Sequence, residues 1–282
     1  MTKIWFITGS ARGLGRAITE MALASGASVI ATARHTDSLA DLTAQYGDHL
    51  LPLQLDVTDE KAVTSVIQTG YQHFGSIDVL VNNAGFAQMA ATEEMRTEDF
   101  KAQMDTDFYG TLFTIRAVLP IMRQQRAGRI INISSIGGRV GGPGLSAYQS
   151  AKFAVNGLTE VVASEVKPFN IQVTTVEPGG MRTDWGGKSM SAVPSDIYAE
   201  TVGQWIKLVH DGWDAPDDNT HPRYISEPKK VAAAIETLVK MPQAPTHLLL
   251  GKDAQASAKA HADALAKSDA DNAALTESTG NF

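Results

Sequence analysis

Cysteine is absent from this chain of 282 residues, which excludes a disulfide framework, a thiolate metal site and a cysteine nucleophile. Basic runs are absent too, and the formal net charge of −7 argues against binding to nucleic acid or to an anionic membrane surface. No apolar run approaches the ~18 residues that a transmembrane helix needs. An apolar segment already begins at Ile4, so we expect no signal or transit peptide and a cytoplasmic protein.

Short apolar segments alternate with helical patterns along the chain, which is typical of an α/β protein with a parallel, doubly wound sheet. With neither an internal repeat nor a linker, residues 1–251 are predicted to form one domain. An Ala-rich tail over residues 252–282 favours helix. The predicted strands are Ile4–Thr8, Ser28–Ala33, Leu50–Leu55, Ile77–Val81, Ile130–Ile133, Ile171–Val176 and Thr246–Leu250.

A glycine-rich turn follows the first strand directly, and a helical segment from Arg16 to Ala24 comes next. Glycines between a strand and a helix let the backbone approach a pyrophosphate, which then sits on the helix N-terminus. The turn therefore predicts a dinucleotide site, although a plain glycine-rich turn is the alternative. The residues concerned are Gly9, Ser10, Arg12, Gly13, Leu14 and Gly15.

The end of the second strand bears on the choice of dinucleotide. An acidic residue about 20 positions after the glycines takes the ribose 2′-hydroxyl of NAD, whereas a nearby Arg accommodates the 2′-phosphate of NADP. Here the strand ends in Ala33 and Arg34, and no acid precedes Asp37. Arg12 in the glycine turn could reach the same phosphate, so the sequence favours NADP over NAD. The alternative is two solvated surface arginines.

Other strand ends carry small or polar residues that suit a cofactor lying across the sheet edge. Asp56 and Val57 follow the third strand, where a carboxylate could accept the adenine amino group. Asn83, Ala84 and Gly85 follow the fourth strand.

Ser135, Tyr148 and Lys152 form a candidate proton-transfer site. Tyr148 and Lys152 stand four apart in a helical segment, so their side chains share one face. A nearby ammonium favours the phenolate and is expected to lower the Tyr148 pKa. Ser135 follows the fifth strand and could bind the same substrate oxygen. The chemistry fits a carbonyl/alcohol pair, and the alternative is a solvated surface pair.

Together these motifs resemble those of the short-chain dehydrogenase/reductase family. The matches, which span roughly residues 3 to 250, are Thr8-Gly-x-x-x-Gly-x-Gly15, Asp56-Val57, Asn82-Asn-Ala-Gly85, Ser135, Tyr148-x-x-x-Lys152 and Pro178-Gly179. The resemblance implies a Rossmann-type sheet of about seven strands and direct hydride transfer between the cofactor and a substrate carbon.

The resemblance also implies a role for each residue of the site. Tyr148 would be the general acid in reduction and the general base in oxidation, and Lys152 would hold the nicotinamide ribose and lower the Tyr148 pKa. Ser135 would orient the substrate oxygen and stabilise its developing charge. The remaining cofactor contacts would come from Asn83, Ala84, Gly85, Pro178, Gly179, Met181 and Thr183.

One position departs from the family pattern. The family usually has an Asn in a pattern like Asn-x-x-Gly before the fifth strand, where this chain reads Asp107-Phe-Tyr-Gly110. Asp107 is therefore an uncertain catalytic residue. Asp is nearly isosteric with Asn, so little changes if the Asn acts mainly through its backbone carbonyl. A carboxylate near Tyr148 would raise the pKa of the phenol and oppose Lys152.

Residues 184–227 form a long segment rich in Gly, Pro, Ser and Asp, which we predict to be irregular and to act as the substrate lid. It contains Trp185, Trp205 and Trp213, which suit a bulky apolar substrate, with Trp185 as a substrate contact. The alternative is that these aromatics only pin the lid to the body. The family packs subunits near the last strand, so a homo-oligomer is possible, and the tail would cap that surface or alter the assembly.

The sequence thus predicts an NADP-dependent reductase or dehydrogenase for a small-molecule ketone or secondary alcohol, with no metal site. A cofactor-binding regulator that has lost catalysis is the main alternative, and the intact Ser135, Tyr148 and Lys152 count against it. An enoyl reductase would space Tyr and Lys more widely. An epimerase or dehydratase would normally add a larger C-terminal domain and a different glycine spacing.

Overall fold

The computed structural model describes residues 2–181, 183, 190–214 and 226–280, with the backbone alone for 210–214. Its strands are β1 (Ile4–Thr8), β2 (Ser28–Ala33), β3 (Leu50–Gln54), β4 (Val79–Asn82), β5 (Gln88–Met89), β6 (Gly128–Ile133), β7 (Ile171–Pro178), β8 (Ser191–Ala192) and β9 (His247–Leu250). Its α-helices are α1 (Gly13–Ala24), α2 (Ala40–Tyr46), α3 (Glu60–Phe74), α4 (Thr97–Met104), α5 (Gly110–Gln125), α6 (Ser146–Val166), α7 (Gln204–Asp214), α8 (Pro228–Lys240), α9 (Lys252–Asp271) and α10 (Ala273–Glu277).

Seven strands form one parallel sheet in the order β3-β2-β1-β4-β6-β7-β9. The chain winds outward from β1 in one direction and then from β4 in the other, which opens a crevice at the carboxyl ends of these two strands. The predicted Rossmann-type α/β fold is therefore confirmed. The fourth strand begins two residues later than predicted, because both backbone groups of Ile77 bond to the Gln125 side chain.

Helices cover both faces of the sheet and form two apolar layers. Helices α1 and α8 pack on one face, with Ile18 and Ile235 fully buried there. Helices α3, α5 and α6 cover the other face, where Ile67 and Ile115 are almost fully buried. A sheet buried on both faces explains why the central strands are continuous apolar runs rather than alternating ones.

The helical segment that carries Asp107 is interrupted. Helix α4 gives way to a π-helical turn over Asp105–Tyr109 before α5 begins. A π turn inserts extra backbone into a helix and changes which side chains face inward. Asp107, on this turn, is 1% exposed.

The prediction that the lid segment is irregular was wrong for part of it. Strand β8 pairs in parallel with β5, and a π-helical turn over Ala199–Gly203 leads into α7. The apolar side chains of Val202, Trp205 and Val209 recur at helical spacing, so one face of this segment can pack against the body. Trp185 lies outside the described residues, and for Trp213 the structure describes the backbone alone.

The tail is helical, as predicted. Helix α9 follows β9 after the single residue Gly251, and Ala254 is its one buried residue over its whole described length. Exposed Lys–Asp pairs spaced four apart, such as Lys259–Asp263, line its surface and give modest support to the helix. Within the described ranges, no helix is long and apolar enough to cross a membrane.

Candidate active site

The turn between β1 and α1 is built from closely packed glycines. Gly9 and Gly13 have φ angles of +68° and +57°, in the left-handed region that favours glycine. A Cβ on Gly15 would lie 2.2 Å from the Gly9 carbonyl oxygen, so this close approach excludes any side chain. Arg12 is the N-cap residue of α1, and its side chain does not cap the first turn in the described structure. The first N–H groups of α1 are therefore suited to an anion.

The β4 end is tied to the glycine turn by side chains. The Asn83 Nδ2 donates to the carbonyl oxygens of Thr8 and Gly9 at 3.0 and 3.2 Å. The Thr8 hydroxyl accepts from the N–H groups of Asn83 and Ala84 at 2.9 and 3.0 Å. The residues predicted to support the cofactor thus lie together, and Thr8 is a supporting side chain that the sequence offered only as part of a motif.

A buried amide network joins β4 and β6 below this edge. Asn82 donates to the Asn132 Oδ1 at 2.9 Å, and Asn132 in turn donates to the Thr159 hydroxyl at 2.8 Å. Thr114 donates to the Asn82 Oδ1 at 2.5 Å. Sequence reasoning missed Thr114, Asn132 and Thr159, because polar residues inside helices and strands carry no local signal of a shared network.

Arg12 and Arg34, which are predicted to bind the 2′-phosphate, are both exposed at the carboxyl edge of the sheet. Arg34 directly follows β2, and Ala33, the last residue of that strand, is buried. Asp56 accepts from the Thr58 N–H at 3.0 Å. This hydrogen bond is the largest influence that lowers the Asp56 pKa, and the charge of Arg34 adds to it, so Arg34 lies near Asp56.

Ser135, Tyr148 and Lys152 come together at the β6 end. The Ser135 and Tyr148 side chains are hydrogen-bonded to each other. The Ser135 Oγ also accepts from the Gly137 N–H at 3.0 Å, which fixes the serine at the start of the following turn. The Lys152 Nζ lies 5.6 Å from the centre of the Tyr148 ring and donates to the Ile133 carbonyl oxygen at 3.0 Å.

The Tyr148 pKa departs from the expectation that Lys152 lowers it. Burial raises the Tyr148 pKa above its usual value of 10, the Asp107 carboxylate raises it further, and the Ser135 hydrogen bond opposes both. Tyr148 is 7% exposed, so the phenolate would lose most of its hydration. The Lys152 ammonium, which was expected to lower this pKa, donates to the Ile133 carbonyl oxygen and faces Asp107.

Asp107 lies inside the site rather than on the surface. Its Oδ1 accepts from the Phe86 N–H at 3.0 Å, and its Oδ2 lies 3.9 Å from the Lys152 Nζ. Burial raises the Asp107 pKa to about 6, although Lys152, the Phe86 N–H and Gln103 each lower it. Gly85 packs closely against Asp107 and Lys152, because a Cβ on Gly85 would lie 3.0 Å from the Asp107 Oδ1.

An apolar wall lies next to Tyr148. Its buried residues are Ala87, Met89, Leu145 and Met190, with Ala192, Trp205, Ile206 and Val209 packed against them. Met89 and Met190 come from the two segments that β5 and β8 join, so the segment predicted to be the lid contributes directly to the wall. Sequence reasoning missed Met89 and Leu145. The predicted substrate contact Trp185 lies outside the described residues.

The segment after β7 lies across the crevice from the glycine turn. A Cβ on Gly13 would meet the Thr183 Cβ at 3.7 Å, so Thr183 faces the start of α1. The Gly179 N–H donates to the Leu250 carbonyl oxygen at 3.0 Å, and Met181 forms a bridge with Ser226. Among the described residues, no cluster of three His, Asp or Glu side chains could hold a metal ion.

Comparison with known proteins identifies the family. Residues 3–193 match the short chain dehydrogenase family. Oxidoreductase BOA17 of Botryotinia fuckeliana (strain B05.10) is 46% identical over 272 residues, which cover 95% of this chain and 96% of that protein. The chain belongs to the short-chain dehydrogenase/reductase family.

Two solved structures show the same fold. A short-chain dehydrogenase from Streptomyces avermitilis superposes with a TM-score of 0.90 at 36% identity, and the match covers 99% of each chain. A structure described as ElxO with NADP bound gives a TM-score of 0.73 at 29% identity and covers 88% of this chain and 96% of that one.

Short-chain dehydrogenases use NAD or NADP, and the described residues fit such a group. The glycines between β1 and α1 carry no side chains that would keep a pyrophosphate away from the backbone of the turn. The first N–H groups of α1 lie at the end of the same turn. Opposite this turn, Thr183 and the segment from Gly179 close the crevice. The site therefore offers the backbone donors that the pyrophosphate of a dinucleotide requires.

Proposed function

We propose that the chain is an NADP(H)-dependent enzyme that interconverts a ketone and a secondary alcohol. The observation that carries this proposal is the hydrogen bond between Ser135 and Tyr148, with Lys152 one helical turn beyond Tyr148. These three side chains share the sheet edge with the glycine turn, where the cofactor would bind. On this proposal residues 1–251 are the catalytic domain and residues 184–227 are its lid.

The nicotinamide supplies or accepts the hydride when the cofactor is bound. Tyr148 donates the proton from its hydroxyl to the substrate oxygen in reduction and takes it back in oxidation. Ser135 holds the same oxygen through its own hydroxyl and stabilises the charge that develops there. Lys152 would hold the nicotinamide ribose hydroxyls and keep a positive charge behind the phenol.

The raised Tyr148 pKa sets the protonation state in which the phenol meets a substrate. A phenol with a pKa above its usual value of 10 is protonated at neutral pH. It can therefore donate its proton without first taking one from solvent, whereas oxidation needs the phenolate, which burial disfavours.

The preference for NADP rests on the residues at the β2 end. Arg12 and Arg34 are exposed beside the crevice, and Ala33 provides no carboxylate for a ribose 2′-hydroxyl. Charge-assisted hydrogen bonds from guanidinium to phosphate are among the strong ones. The related protein ElxO, described with NADP bound, supports the same choice.

The substrate is proposed to carry a bulky apolar group. The wall beside Tyr148 contains Met89, Leu145 and Met190, and Trp205 packs against it. Burying an apolar side chain of comparable size contributes roughly 1.5–3 kcal/mol, which is enough to select among ketones.

A substrate panel with both cofactors tests the proposal. We expect oxidation of NADPH with bulky aliphatic or aryl ketones, and much slower reaction with small polar ones or with NADH. NADPH binding without turnover of any ketone or alcohol would instead favour a cofactor-binding regulator. A chain that binds neither cofactor would contradict both functions.

A further inference from the structure

The first turn of the tail helix α9 lies directly on the loop that follows β7. The Gly180 N–H donates to the Asp253 Oδ2 at 2.7 Å. The same loop is held on two more sides, since the Gly179 N–H bonds to Leu250 and the Gly180 carbonyl oxygen accepts from the Ser226 N–H at 2.8 Å. Among the contacts described for Gly179 and Gly180, Asp253 supplies a side chain and the others are backbone groups.

The Asp253 carboxylate also fills the space beside two glycines. A Cβ on Gly179 would lie 2.0 Å from the Asp253 Oδ2, and a Cβ on Gly251 would lie 2.5 Å from its Oδ1. No real side chain tolerates such distances. Asp253 and the two glycines thus form one tightly packed unit that joins the tail to the β7 loop.

Helix α9 reaches the other half of the candidate site as well. The helix contacts the turn over Ile136–Gly138, which follows Ser135 directly. The buried Ala254 anchors this end of the helix, whereas Asp263, paired with Lys259, is exposed further along. The contact between the tail and the site is therefore concentrated at the helix start.

The chemistry of Asp253 suits a fixed anchor. A carboxylate in the first turn of a helix is stabilised by the helix dipole. A hydrogen bond from a backbone N–H to a carboxylate is stronger than one between neutral groups. The loop it holds includes Gly179, which the family resemblance places beside the nicotinamide.

We propose that Asp253 is a positioning residue, which fixes the backbone of Gly179 and Gly180 so that this loop supports the nicotinamide end of the cofactor. Asp253 has this role only if the chain binds NADP(H) as proposed above. The first turn of the tail helix α9 then contributes to cofactor binding.

Point variants in the full chain test this role, with NADPH as the probe. We expect Asp253→Ala to raise the KM and the Kd for NADPH about tenfold, equivalent to about 1.4 kcal/mol. The KM for the ketone, measured at saturating NADPH, should change little. Asp253→Asn keeps a side-chain oxygen for the Gly180 N–H and should recover most of the affinity. Asp263→Ala, the matched control on the same helix, should behave like wild type.

The outcomes separate this role from the proposed function. If wild type neither binds NADPH nor reduces a ketone, the proposed function fails. If wild type does both and Asp253→Ala resembles Asp263→Ala in its NADPH constants, the positioning role is overturned. An Asp253→Asn variant as impaired as Asp253→Ala would also count against the Gly180 hydrogen bond.

A double variant tests the contact even if a single variant folds poorly. Gly179→Ala should weaken NADPH binding and lower the thermal unfolding temperature, because its Cβ meets the Asp253 carboxylate. Adding Asp253→Ala removes the clashing atoms. The double variant should therefore lose less NADPH affinity and less thermal stability than the two single variants lose together. Losses that simply add would overturn the direct contact.

Discussion

The Asp107 Oδ2 lies 3.9 Å from the Lys152 Nζ, and both side chains are buried beside Tyr148. The family usually has an uncharged Asn at this position. An additional carboxylate here faces the ammonium that is expected to assist the phenol. Its charge raises the Tyr148 pKa, so the departure from the family pattern bears directly on proton transfer.

Asp107→Asn should shift the pH dependence of the reaction. Without the carboxylate, the Tyr148 pKa falls, because the phenolate loses a like-charged neighbour. Reduction needs the protonated phenol, so its alkaline limb should move to lower pH in the kcat/KM profile. Asp105→Asn is the matched control, since Asp105 lies on the same π turn but is exposed. A profile that moves equally in both variants would exclude an effect through Tyr148.

Asp107 should also make stability depend on pH. Its folded pKa of about 6 lies above the usual 3.8, so the folded protein binds more protons than the unfolded chain between these values. The contribution of Asp107 to stability is full below the unfolded pKa and is lost as the pH rises through 6. A shift of about two pKa units corresponds to roughly 3 kcal/mol.

Urea unfolding at pH 4 and pH 7.5 measures this effect. Relative to wild type, the free energy of unfolding of Asp107→Asn should rise by up to about 3 kcal/mol between the two pH values, because the amide does not titrate. A difference between the two proteins that stays constant with pH would show that Asp107 titrates normally.

Tyr148→Phe should remove the proton donor and leave the cofactor site intact. General acid–base catalysis contributes roughly 10²–10⁴-fold, and we expect kcat to fall by this factor. The Kd for NADPH should remain near that of wild type. Tyr109→Phe makes the same change at an exposed position and should keep full activity. Turnover near the wild-type rate in Tyr148→Phe would refute the assigned role.

Arg12 and Arg34 should set the preference for NADPH. Each charge-assisted hydrogen bond to the 2′-phosphate contributes roughly 1.5–3 kcal/mol, so each engaged arginine should favour NADPH about tenfold or more. Ala33→Asp combined with Arg34→Ala should reverse the preference, because the new carboxylate accepts from the ribose hydroxyl and repels the phosphate.

The ratio of kcat/KM for NADPH and NADH measures this preference. Arg123→Ala is a suitable control, since Arg123 lies in the last turn of α5, near the amino end of β4 and away from the crevice. A wild-type enzyme that already prefers NADH would show that the arginines do not bind the phosphate.

The sequence by itself determined the sheet, the glycine turn and the candidate catalytic side chains. The central strands are continuous apolar runs with glycines close to their ends. These local patterns were sufficient to predict the observed bounds of β1 and β2. Tyr148 and Lys152 share a helix face through spacing alone. These features depend on neighbours along the chain, which a sequence displays directly.

Only the tertiary structure decided what surrounds those side chains. The π turn that buries Asp107 beside Lys152 requires α4 and α5 to pack with α6, and α7 requires an apolar surface to pack on. Burial also reversed the expected shift of the Tyr148 pKa, because desolvation depends on every segment that covers the phenol. Likewise, Asp253 meets Gly179 across more than 70 residues of chain, and no local pattern encodes such a contact.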